Sequence, residues 1–86
     1  MTPRERQLRQ NLVIEFGVQL SIREFTDILA IAISTAAIVG ELTPQAWFQI
    51  VSDVAGPLPQ RPTIRVGGLD YGDANAILMQ AIAAGR

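Results

Sequence analysis

The chain has 86 residues, 49% of them apolar and 17% charged, with a net charge of −1. It holds no cysteine, histidine or lysine. That excludes disulfides, Ser-His-Asp and Cys-His catalysis, Schiff-base chemistry and the phosphate-loop lysine, and it removes the usual ligands of zinc, copper and haem. No cofactor or metal is therefore expected, and no enzymatic role; nothing argues for an oxidising compartment, so a cytoplasmic location is expected.

The length predicts a single domain spanning 1–86. A chain this short buries only about 60–65% of its unfolded surface, so its stability margin is thin. Apolar residues are abundant enough to rule out disorder and to leave hydrophobic surface over after folding.

Charge is unevenly spread. Arg4, Arg6 and Arg9 against Glu5 make the first nine residues basic, whereas Glu15 to Asp53 is acidic, with Arg23 its one positive charge. The broad basic face that neutralises phosphates is missing. The N-terminal arginines read as the solvated side of a helix.

The first element opens at Thr2-Pro3-Arg4-Glu5: a threonine cap, proline at the first helical position and a glutamate closing the capping box. Leu8, Leu12, Phe16 and Leu20, with Val13, form a helical stripe, and the spacing predicts a helix to about Phe16 with Gly17 as its stop. A competing pattern runs through the same residues. Leu12, Ile14, Phe16, Val18 and Leu20 alternate with other residues as a strand would.

Ser21 and Glu24 form a second capping box, and Leu20 and Phe25 occupy the hydrophobic staple positions. The helix they open is predicted from about Ile22 to Val39, closed by Gly40. Its stretch Ile28 to Gly40 carries no charge. At 1.5 Å per residue these thirteen residues cover about 20 Å, against about 30 Å of bilayer hydrocarbon, and Asp27 and Glu41 bound them. The run starts too late for a signal peptide and reads as a buried core helix. Phe25, Ile28, Leu29, Ala32, Ile33, Ala36 and Val39 share one face, while Ile31 and Ile38 lie almost opposite. A helix apolar on both sides is expected to have neighbours on both sides. Ala32, Ala36 and Gly40, spaced by four, permit close helix approach, either within the chain or between two copies. Glu24 and Asp27 are an i, i+3 carboxylate pair. Glu24 is accounted for by the cap, and Asp27 is within reach of Arg23, its i−4 neighbour.

Thr43-Pro44 opens a third helix that Gly56-Pro57 ends. Trp47, Phe48, Val51, Val54 and Ala55 face one way, and Gln45, Gln49, Ser52 and Asp53 the other. Trp47 reads as a core anchor whose indole N–H still needs an acceptor. The proline-rich "GPLPQRP" must be extended. Thr63 to Val66 could form a short strand partnering Leu12–Leu20. In "GGLDYGDAN" the spacing departs from GxGxxG, Asp70 and Asp73 would repel a phosphate, and the acidic residues do not follow a calcium-loop pattern. The stretch reads as a glycine-rich turn in which an aspartate caps a last helix, from Ala74 to Ala84. Ile77, Leu78, Ala81 and Ile82 point inward there, and Met79 lies on the opposite side.

The fold class expected is mostly α: a small four-helix domain with a central apolar helix and a Pro-rich extended connector. The alternative is α+β with a two-stranded pair, 12–20 with 63–66. The function expected is a non-catalytic protein–protein interaction or assembly module that self-associates as a homo-oligomer or docks onto a larger complex. Its candidate interaction face is Ile31, Ala32, Ala36, Ile38, Gly40, Trp47 and Met79. The alternative is a helix-turn-helix-type nucleic-acid-binding regulator reading with Pro44–Ala55, where Gln45 and Gln49 could contact adenine but no arginine or lysine is present. A third reading, a membrane-surface protein inserting its uncharged helix, lacks the basic polar face such helices carry. Neither nucleic acid nor membrane is the partner the sequence favours.

Overall fold

A computed structural model describes residues 2–59 and 70–84. Over these the protein is a helical bundle of α1 (Pro3–Phe16), α2 (Ile22–Val39), α3 (Pro44–Ala55) and α4 (Tyr71–Ala83). There is no strand among the described residues.

Local sequence signals place most of the helix ends. Thr2 accepts from the Glu5 N–H at 3.1 Å while the Thr2 N–H donates to Glu5 Oε1 at 2.9 Å, closing the first capping box. Ser21 and Glu24 repeat that geometry at the start of α2. The Thr43 hydroxyl accepts from the Ala46 N–H to open α3. Such caps satisfy backbone donors that a helix leaves free in its first turn.

Gly17 settles the rivalry between helix and strand. Its φ of 64° is left-handed, and its N–H donates to the Val13 carbonyl, so the chain ends α1 there and turns. A residue with a Cβ resists that conformation, whereas glycine adopts it freely. Residues 12–16 are thus helical, and the strand reading of 12–20 is corrected; its partner, 63–66, lies outside the described residues. The connector is non-helical from Gly56 to Pro59.

The start of α4 differs from expectation. The helix begins at Tyr71, three residues before Ala74, and its cap is Asp70, whose carboxylate accepts from the Asp73 N–H at 3.1 Å. Gly72 and Asp73 therefore sit inside the first turn. An aspartate with a free N–H two or three residues ahead of it makes a good cap even when glycine intervenes. Ala84, rather than Gly85, follows the last helical residue.

In the bundle α2 packs on both α3 and α4, and α4 also packs on α1. The core joins Leu8, Leu12 and Phe16 of α1 to Phe25, Ile28 and Ala32 of α2, Trp47 and Val51 of α3, and Leu78 of α4. Phe16 meets the Phe48 ring edge-on, centroids 5.8 Å apart, an arrangement the ring quadrupoles favour. Ile50, which belongs to neither face in the sequence reading of α3, is also buried.

Two corrections concern α2. Val39 does not join the buried face; it is 63% exposed as the last residue of the helix. Ile31 and Ile38 are not wrapped by neighbours within the chain either: they are 41% and 85% exposed. Among the described residues α3 and α4 pack against α2, and they leave the side bearing Ile31 and Ile38 exposed.

Candidate interaction surface

Two constellations stand out. One is internal and polar, the other external and apolar.

The polar one ties α1, the α2–α3 turn and α4 together. Asn75, on α4, is buried. Its Oδ1 accepts from the Leu42 N–H at 2.8 Å, and its Nδ2 donates to the Leu42 and Tyr71 carbonyls, both at 2.9 Å. One turn earlier the Tyr71 hydroxyl donates to Glu15 Oε2 at 2.9 Å. Glu15 is buried within α1. Burial first, and then the hydrogen bond to Glu15 and its negative charge, push the Tyr71 pKa far up, because each disfavours a phenolate. A phenol held protonated beside a carboxylate is a locking contact. It is neither nucleophile nor base in this state.

The arginines of α1 do different things. Arg4 pairs with Asp73 at 3.1 Å, both side chains about half exposed. Arg9 Nε and Nη2 both donate to the Leu20 carbonyl, at 2.9 and 2.6 Å. Arg9 is therefore a fastener of the α1–α2 turn, which corrects its reading as part of a solvated face. Arg6 is exposed. Asp27 is exposed and makes no pair with Arg23 among the described residues.

The apolar constellation is the outer side of α2. At 3.6 residues per turn, Ala30, Ile31, Ser34, Ala37 and Ile38 fall on one side, away from Phe25, Ile28, Ala32 and Ala36. All five are exposed, and no charge interrupts them. Beside them Thr26, Leu29, Ala30, Ile33 and Ser34 line a shallow depression along the helix. Arg23 and Asp27, both exposed, lie toward the start of α2, and the exposed Glu41 follows the helix beyond Gly40. Isolated exposed apolar residues are ordinary on small proteins; a contiguous uncharged face is not.

Of the residues singled out from sequence, Ile31, Ile38 and Gly40 are exposed on or at the end of α2, and Met79 is 37% exposed on α4. Ala32, Ala36 and Trp47 are 0%, 3% and 0% exposed, so they serve the chain's own core and are unavailable to a partner. The four-residue spacing of Ala32 and Ala36 is used for packing within the bundle. The sequence reading gives Ala30 and Ala37 no face and places Val39 inward, yet all three are exposed. Ile14, which that reading places only in the strand alternation, and Ile22, which it gives only as the start of α2, are exposed as well.

The would-be reader helix α3 presents Gln45, Gln49 and Asp53 outward. Gln49 Nε2 donates to Asp53 Oδ1 at 2.9 Å, so its amide is engaged within its own helix. No helix of the described residues is long and apolar enough to cross a membrane. No protein-family model matches the chain, and no curated protein and no solved structure matches it either.

Proposed function

We propose that this chain is a non-catalytic protein–protein interaction module whose docking surface is the outer face of α2. The observation that carries the reading is the exposure of Ile31 and Ile38 on a helix side that holds no charge from residue 28 to residue 40. Water contact with that face is unfavourable by about 25 cal/mol per Å2 of apolar area, and a partner surface removes the penalty. The polar contacts of the interior support the same reading. Glu15, Tyr71 and Asn75 are engaged in hydrogen bonds that join α1, α4 and the α2–α3 turn.

The test uses the tagged chain, expressed in its cell of origin, beside the double variant Ile31→Lys/Ile38→Lys. Both positions point outward, so the variant is expected to keep the wild-type helical content and melting temperature. Wild type is expected to recover a bound protein, another copy of the chain included, that the variant loses. Equal recovery by both chains, or none by either at native abundance, would overturn the reading.

A further inference from the structure

We draw no further inference here: the strongest candidate, the uncharged outer face of α2 around Ile31 and Ile38 with the shallow depression beside Leu29 and Ile33, is an unpartnered apolar surface, and nothing in the structure shows what covers it.

Discussion

The side-chain amide of Asn75 satisfies both backbone polar groups of Leu42, accepting from its N–H at 2.8 Å and donating to its carbonyl at 2.9 Å. The two residues are 33 positions apart, and both are buried. Asn75 thus substitutes for a strand partner. It ties the turn between α2 and α3 to α4 at a buried stretch of backbone.

Replacing Asn75 with Ala is expected to lower stability by about 2–4 kcal/mol, since it leaves buried backbone groups without partners, each costing about 1–3 kcal/mol. Urea unfolding followed by circular dichroism measures this. Asn75→Asp adds a pH signature. The introduced carboxyl would face the Leu42 and Tyr71 carbonyls in a buried site, so its folded pKa is raised. The variant is expected to be least impaired below about pH 4, where the unfolded carboxyl is also protonated, and to lose stability as the pH rises from there. A variant whose stability relative to wild type is flat from acid to neutral pH would contradict this.

The Tyr71–Glu15 contact predicts alkaline behaviour. Because the folded pKa of Tyr71 is raised, the contact stabilises the fold fully below the unfolded tyrosine pKa of about 10 and is lost as the pH climbs above it. Tyrosinate absorbance is expected to appear together with the loss of helical signal, since Tyr71 is the single tyrosine. Tyr71→Phe is expected to cost about 1–3 kcal/mol at neutral pH, because it withdraws a donor from a buried carboxylate. Tyrosinate forming at about pH 10 with the helices intact would contradict the assignment.

Trp47 is 0% exposed, and its indole N–H has no acceptor among the described residues. The sequence led us to expect one. Trp47→Ala is expected to cost about 3–5 kcal/mol through the cavity it leaves. Trp47→Phe is expected to stay within about 1–2 kcal/mol of wild type, since removing an orphaned donor offsets part of the lost packing. The emission of this single tryptophan is expected to be blue-shifted and inaccessible to iodide until the chain unfolds. Equal destabilisation by the two substitutions would show that the N–H is satisfied after all.

Arg9 gives a test of the α1–α2 turn. Its guanidinium makes two hydrogen bonds to one carbonyl, that of Leu20, a geometry lysine cannot copy. Arg9→Lys and Arg9→Ala are both expected to lower stability, by about 1 and about 2 kcal/mol. A lysine variant as stable as wild type would reduce Arg9 to a surface charge.

Much of the fold is legible in the sequence because its boundaries are local. The ends of α1, α2 and α3 are set by a capping side chain within three residues and a glycine or proline at the close, and no long-range contact is needed to see them. Where two capping aspartates compete, local reading slips, and α4 starts at Tyr71 rather than Ala74. The alternation from Leu12 to Leu20 fits a strand by period alone. A left-handed glycine at position 17 outweighs it, because a strand cannot run through that turn.

The sequence by itself determined the absence of histidine and cysteine chemistry and the places where most of the helices among the described residues begin and end, since composition and caps act at short range. Only the tertiary structure decided which apolar residues are core and which are surface. Ala32 and Ala36 pack inward while Ile31 and Ile38 meet water, a division drawn by which side of α2 its neighbours happen to cover. It also decided the fate of the polar residues. Nothing local to Glu15 or Asn75 signals burial, and they are buried where partners 56 and 33 residues away supply the hydrogen bonds that burial demands.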